Sequence, residues 1–161
     1  MSDTARFDDK GWITLCGNCG QRNRIPYERL GDVGICGKCG EALPPPSLPM
    51  EMDSAARFER ILASSTIPVV VDYWAPWCGP CRMVAPELEK VAASGSGRFL
   101  VVKVNTEALP AVGARYNVHS LPTLAVFTAG KEAGRSAGAR PAPAIEQFIH
   151  ETLNGKMPGV K

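Results

Sequence analysis

The sequence predicts an α/β domain, with a mixed central sheet and helices on both faces, preceded by a small four-cysteine ribbon. Apolar β-branched runs alternate with helical patterns after residue 50. The region before residue 44 lacks this periodicity and instead carries two Cys-x-x-Cys pairs, and a proline-rich stretch separates the two regions. We therefore expect a ribbon at 1–43, a linker at 44–50 and an α/β domain at 51–161.

Three local patterns define the first half of the α/β domain. Asp53 or Ser54 can cap a helix that ends near residue 63 and has its apolar side chains on one face. Residues 68–73 form a β-branched run that is typical of a central strand. A second helix is predicted over 78–94, with a kink at Pro86 because proline removes a helical hydrogen bond.

The second half of the domain continues the alternation. Residues 99–104 predict a buried strand and residues 109–116 a short helix. Residues 123–128 and 131–137 are expected to pair as a hairpin, with the second strand at a sheet edge. An amphipathic helix over 142–153 ends the fold. The order α-β-α-β-α-β-β-α indicates a sheet with helices on both faces.

The linker is rich in proline. Four of the seven residues from Leu43 to Pro49 are prolines, which disfavours helix and central strand and favours an extended, semi-rigid spacer. A ligand for an SH3-type domain is an alternative interpretation of this segment. Residues 50–52 make a poor first strand, and the linker can replace part of it.

Composition narrows the class of protein. The chain has 161 residues, of which 45% are hydrophobic, enough for one core of about 100–110 residues and a small appendage. A net charge of +2 argues against nucleic acid or an anionic membrane as the main partner. No stretch approaches the ~20 apolar residues of a membrane span, and the N-terminus resembles no export signal. We expect a cytoplasmic protein, in which six cysteines indicate metal binding or redox chemistry.

The first two cysteine pairs predict a metal site. They are separated by 16 residues, and a glycine follows each pair and lets the turn expose N–H groups to the sulfurs. Four thiolates suit a tetrahedral ion, with zinc favoured over iron. A structural zinc ribbon and a redox switch that releases zinc both fit the pattern. The expected ligands are Cys16, Cys19, Cys36 and Cys39.

The third pair, Cys78-Gly79-Pro80-Cys81, follows a predicted buried strand and begins a predicted helix. Both sulfurs then lie on one face of the first turn, where the helix N-terminus stabilises a thiolate at Cys78. Pro80 costs little in a first turn. Half of another metal site is the alternative, but no second Cys/His pair occurs in this domain. The pattern therefore predicts a thiol–disulfide site.

The segment Val71–Cys81 resembles the active-site signature of the thioredoxin family. The similarity continues through Lys103–Asn105 and Ser120–Thr123 and covers roughly residues 51–155. With the four-cysteine ribbon ahead of it, the chain resembles the zinc-containing second thioredoxin of bacteria. This resemblance implies a thioredoxin fold preceded by a zinc ribbon with one zinc ion.

The resemblance also implies roles. Cys78 would be the exposed nucleophile, and Cys81, one turn deeper, would resolve the mixed disulfide. Asp72 would accept the Cys81 proton, because burial in an apolar strand raises the pKa of a carboxyl group. Lys103 would pair with Asp72 beneath the site. An exposed strand-end carboxylate and a solvated lysine are the alternative interpretations of these two residues.

A substrate-binding surface is implied around the dithiol. Pro122 would be a cis proline packed against the sulfurs, and it would leave the Leu121 backbone free to pair with an extended substrate. A flat apolar surface around Cys78 would be formed by Trp77, Ala75 and Pro76, with Gly138 across the groove. The substrate-binding residues would be Trp77, Gly79, Pro80, Leu121 and Gly138.

Together these features predict a cytosolic, monomeric protein disulfide reductase that acts on disulfide-containing proteins. An NADPH-dependent thioredoxin reductase would recharge it, and no nucleotide is expected to bind because the chain has no Gly-rich phosphate loop. A disulfide isomerase or oxidase is the enzymatic alternative, although Pro80 stands where oxidising members usually carry histidine. A zinc-ribbon adaptor that uses the α/β domain only for docking is the non-enzymatic alternative.

Overall fold

The ribbon consists of two small antiparallel sheets. A computed structural model describes residues 6–155. The first sheet contains β1 (Arg6–Phe7), β2 (Gly11–Leu15) and β3 (Arg22–Pro26), and the second contains β4 (Gly34–Ile35) and β5 (Ala42–Leu43). A short 3-10 turn at Tyr27–Arg29 connects the two sheets. Each Cys-x-x-Cys pair therefore lies at the tip of a hairpin, between β2 and β3 or between β4 and β5.

The second region contains five strands and four helices. The strands are β6 (Met50–Glu51), β7 (Val69–Trp74), β8 (Leu100–Asn105), β9 (Thr123–Thr128) and β10 (Lys131–Ala137). The helices are α1 (Ala55–Ser64), α2 (Gly79–Ser94), α3 (Pro110–Arg115) and α4 (Ala142–Leu153). None of the helices within residues 6–155 has the length and hydrophobicity that a membrane crossing needs.

The five strands form one mixed sheet in the order β10-β9-β7-β8-β6. β7 pairs in parallel with β8 and antiparallel with β9, and β6 pairs in parallel with β8 at the edge. β9 and β10 form the predicted hairpin. The predicted fold class, an α/β sheet with helices on both faces, is confirmed.

Each face of the sheet has its own core. Alternate residues of β7, among them Val71 and Tyr73, point into a core with α1 and α3. Val70 points to the other face, where α2 and α4 cover the sheet. Asp72 shares this second face by alternation, and it therefore lies beneath the helix that carries the dithiol.

The edge of the sheet differs from the sequence-based expectation. Met50, which was assigned to the linker, is the first residue of β6 and pairs with Val102, so the poor first strand does join the sheet edge. Pairing with β8 holds these two residues as a strand, although their own sequence does not favour one.

The ribbon packs against the α/β domain and is not held away from it by a spacer. Four ribbon side chains join the core on the α1 and α3 face, namely Phe7, Trp12, Tyr27 and Leu30. Thr66 Oγ1 donates a hydrogen bond of 3.1 Å to the Glu28 carbonyl, and Ser96 Oγ donates one of 3.3 Å to the Pro45 carbonyl. The linker therefore lies along the domain surface.

Candidate active site and metal centre

The two cysteines of the third pair lie at the N-terminus of α2. Cys78 is the N-cap residue, and its sulfur accepts the Cys81 N–H at 3.2 Å. The sulfurs form a disulfide, with the Cα atoms 5.3 Å apart. The expected exposure of Cys78 is wrong for this oxidised state, because Cys78 and Cys81 are each only 4% exposed. Within the first turn of α2, the Cys78 sulfur is bonded to the Cys81 sulfur and accepts the Cys81 N–H, so it points inward.

An exposed rim surrounds the disulfide. Trp77 is 68% exposed, and the neighbouring Gly79 and Pro80 are exposed as well. The Leu121–Pro122 peptide bond is cis, the geometry that the resemblance implied. The Gly138 N–H donates a 2.9 Å hydrogen bond to the Pro122 carbonyl, which brings these two predicted residues together.

Asp72 is completely buried beneath the site. Its side chain is 0% exposed, and neither carboxyl oxygen has a hydrogen-bond partner among the described residues. Burial raises the pKa of Asp72 to about 7, although the positive charge of Lys103 opposes this effect. Asp72 can therefore exchange a proton near neutral pH, as a general base in thiol chemistry must.

Lys103 lies opposite Asp72 in the β7–β8 register. The described residues include no salt bridge between them, so the expected direct pair is absent and Lys103 acts on Asp72 through space. The Lys103 ammonium instead lies over the Trp74 ring, 4.8 Å from its centroid. A cation over an indole face is held by the ring quadrupole.

Glu51 is a residue that sequence reasoning did not identify. Its carboxylate accepts a 3.1 Å hydrogen bond from Trp74 Nε1, and its backbone lies opposite Lys103 in the β6–β8 register. An acid between two methionines, immediately after the proline-rich stretch, was the available signal. The two-residue length of β6 concealed its register.

The four ribbon cysteines converge on one point. All four sulfurs lie within 4.8 Å of one another. The Cys16 and Cys39 sulfurs are 3.6 Å apart, and the Cys19 and Cys36 sulfurs are 3.7 Å apart. Four sulfurs bound tetrahedrally to zinc at 2.3 Å would be about 3.8 Å apart, so the donor set fits this ion.

Hydrogen-bond donors surround the sulfurs. The Asn18 N–H lies 3.4 Å from the Cys16 sulfur, and the Lys38 N–H lies 3.4 Å from the Cys36 sulfur. The N–H groups of Cys39 and Lys38 lower the pKa of the Cys36 thiol to about 6. These donors favour the thiolate form of Cys36, which is the form that binds a cation.

Family models match both regions of the chain. The model described as Thioredoxin matches residues 49–151. The chain belongs to the thioredoxin family. A second model, described as Thioredoxin 2, N-terminal, matches residues 15–41 of the ribbon. The resemblance inferred from the active-site signature and the four cysteines is therefore confirmed, and the ribbon belongs to a zinc-ribbon family.

Individual relatives agree with this assignment. Thioredoxin C-3 of Corynebacterium nephridii is 37% identical over 141 residues, which cover 88% of this chain and 95% of the relative. Thioredoxin 1 of a Nostoc species is 43% identical over 96 residues, which cover 60% of this chain and 90% of the relative. This thioredoxin-family chain is a thiol–disulfide oxidoreductase, and the Cys78–Cys81 disulfide fits its redox-active site.

Solved structures lead to the same fold. A chloroplastic thioredoxin z aligns with a TM-score of 0.61 and 33% identity, and the alignment covers 66% of this chain and 96% of that one. A mutant thioredoxin from Halobacterium salinarum aligns with a TM-score of 0.60 at 25% identity, covering 66% of this chain and 92% of the other.

Proposed function

We propose that this protein is a cytoplasmic, monomeric protein disulfide reductase that an NADPH-dependent thioredoxin reductase recharges. The observation that carries the proposal is the Cys78–Cys81 disulfide at a helix N-terminus, above a buried carboxyl group that has no hydrogen-bond partner within residues 6–155. A reversible dithiol and a nearby proton acceptor are the two components that disulfide exchange needs.

In the reduced protein, the Cys78 thiolate attacks one sulfur of a substrate disulfide. The substrate S–S bond breaks, a mixed disulfide with Cys78 forms, and one substrate thiolate leaves. Asp72 then accepts the Cys81 proton, and the Cys81 thiolate attacks the Cys78 sulfur. This step forms the Cys78–Cys81 disulfide and releases the second substrate thiolate. Two electrons pass from the protein to the substrate in each cycle.

The substrates we propose are proteins with accessible disulfides. Trp77, Gly79 and Pro80 present an exposed surface beside Cys78. The Leu121 N–H and carbonyl make no hydrogen bond within residues 6–155, so they are available to an extended substrate segment. Backbone pairing is tolerant of sequence, which suits a general reductase.

Electrons come from outside the chain in this proposal. The two-electron donor is NADPH, and thioredoxin reductase passes its electrons to the Cys78–Cys81 disulfide, so the chain itself needs no bound nucleotide. The family assignment supports this partner.

A single zinc ion is proposed for the ribbon. Cys16, Cys19, Cys36 and Cys39 would hold it, and the ion would offset half of the negative charge of four thiolates and stabilise the two hairpins. Metal analysis of the purified protein tests this assignment. One zinc per chain is expected, whereas iron, or a folded protein without metal, would contradict it.

An insulin-reduction assay with NADPH and thioredoxin reductase tests the main proposal. Cys78→Ser should abolish turnover, because the thiolate that attacks the substrate disulfide is lost. Cys81→Ser is the matched control: it keeps the nucleophile and should accumulate a mixed disulfide that mass spectrometry detects. Full turnover by Cys78→Ser would refute the reductase function. If Cys16→Ser kept turnover but lost binding to a protein client, the adaptor function would be favoured.

A further inference from the structure

Three charged side chains lie on one rung of the sheet. Glu51 on β6 is the register partner of Lys103 on β8, and Lys103 is the register partner of Asp72 on β7. Register partners in a sheet project their side chains to the same face. A carboxylate, an ammonium and a second carboxylate therefore follow one another across three neighbouring strands, on the face that α2 covers.

Trp74 connects two members of this row. Its indole N–H donates to Glu51 at 3.1 Å, and its ring face contacts the Lys103 ammonium at 4.8 Å from the centroid. Glu51 therefore fixes the indole on which Lys103 rests. The position of the Lys103 charge on the strand beside Asp72 depends on this arrangement.

Glu51 differs from Asp72 in its access to solvent. Asp72 is fully buried, whereas Glu51 is exposed on the wall of a cleft of about 750 Å³ between the ribbon and the linker. Trp12 and Leu48 line the same cleft. The docked ribbon thus forms one wall of the space that Glu51 faces.

The charged groups that act on Asp72 are few. Lys103 lowers the pKa of Asp72, and Glu51 raises it. From β9 the register partner of Asp72 is the apolar Leu124. From α2 and its N-cap the buried titratable groups are Cys81 and Cys78, which do not titrate while they form the disulfide, whereas Arg82, Glu87, Glu89 and Lys90 are not buried. In the oxidised protein, Glu51 is therefore the acid that competes with Asp72 for Lys103.

We propose that Glu51 is a positioning residue for disulfide exchange. By holding the Trp74 indole and interacting with Lys103, it sets the electrostatic potential at the Asp72 carboxyl group. This inference rests on the proposed function, in which Asp72 accepts the Cys81 proton. The row Glu51–Lys103–Asp72 then links an exposed acid in the ribbon cleft to the buried acid beneath the dithiol.

The expected size of the effect follows from distance and screening. Two strand spacings separate Glu51 from Asp72 by about 10 Å. Because Glu51 is exposed and Asp72 is buried, an effective dielectric constant of about 50 applies, and removing the Glu51 charge then shifts the Asp72 titration by about half a pH unit. The shift is toward lower pH, because a like charge is lost and Asp72 becomes the only carboxylate of this row that interacts with Lys103.

The test is an NMR titration of the Asp72 carboxyl carbon in the oxidised, zinc-loaded protein. Glu51→Gln should lower the midpoint by about half a pH unit. Glu41→Gln is the matched control, because Glu41 lines the same cleft but makes no hydrogen bond with Trp74. The control should leave the midpoint unchanged. In stopped-flow experiments at pH 6, Glu51→Gln should resolve the mixed disulfide about threefold faster than the wild type.

Varying the salt concentration distinguishes a direct charge effect of Glu51 from a change in the hydration of the site. The shift between wild type and Glu51→Gln should shrink from 0.1 M to 1 M NaCl, because the Debye length falls from about 10 Å to about 3 Å. An unchanged or raised midpoint, or a shift that persists in 1 M salt, would overturn the inference. The titration uses the oxidised protein and needs no turnover. A failed insulin assay would therefore refute the reductase function without deciding the role of Glu51.

Discussion

The buried Asp72 carboxyl group should reduce the stability of the protein at alkaline pH. Its pKa is about 7 in the folded protein, against 3.8 for the unperturbed group, because burial disfavours the charged form. A raised pKa leaves stability intact below pH 3.8 and removes it progressively as the pH rises through 7. Between pH 5 and pH 8.5 this linkage amounts to about 3 kcal/mol. Asp72→Asn removes the titration and keeps the shape of the side chain.

Guanidinium unfolding of the oxidised, zinc-loaded proteins measures this effect. The free energy of unfolding of Asp72→Asn, minus that of the wild type, should rise by about 3 kcal/mol from pH 5 to pH 8.5. Taking the difference cancels contributions from the ribbon thiols, which both proteins share. Asp53→Asn is the control, since Asp53 is an exposed acid paired with Arg57. A difference that stays constant within about 0.5 kcal/mol across this pH range would refute the raised pKa.

Four further results are expected. The Leu30 side chain is 1% exposed between ribbon and domain, so Leu30→Ala should lower the free energy of unfolding by about 2–5 kcal/mol. Val33 is 62% exposed, and Val33→Ala should change it by less than about 0.5 kcal/mol. Equal effects of the two substitutions in urea unfolding would argue against the shared core. Cys36→Ser should lose zinc by metal analysis and lower the melting temperature, and retention of one tightly bound zinc would contradict the four-cysteine site. Trp77→Ala should reduce kcat/KM for insulin about tenfold at unchanged melting temperature, and an unchanged kcat/KM would remove Trp77 from the docking surface. In stopped-flow experiments, Asp72→Asn should slow resolution of the mixed disulfide more than its formation, and equal slowing of both steps would refute Asp72 as the base.

The parts of the site that depend on local sequence were predictable. Two cysteines three positions apart at a strand-to-helix junction specify a dithiol, and the structure forms that disulfide at the N-terminus of α2. Asp72 stood out as an acid in an otherwise apolar strand, and it is fully buried. The hydrophobic periodicity of the α/β domain likewise predicted the longer strands and helices, because burial of one face imposes that periodicity.

The parts that depend on distant partners were not predictable. Met50 and Glu51 form a strand only because β8 offers a free edge. The role of Glu51 depends on its contacts with Trp74 and Lys103, which lie 23 and 52 positions later in the chain. The depth of Cys78 depends on how its sulfur turns within the folded site, which spacing alone does not specify.

The packing of Tyr27 and Leu30 against the α1 and α3 face has a practical consequence for dissection of this protein. A cut in the proline-rich segment would divide one hydrophobic core and would not separate two independent ones. The fragment that begins at residue 51 would expose to water the apolar surface on which the ribbon side chains pack, and it would lose Met50 from its sheet edge. Self-association of that fragment would then result from the cut and would report nothing about the intact chain.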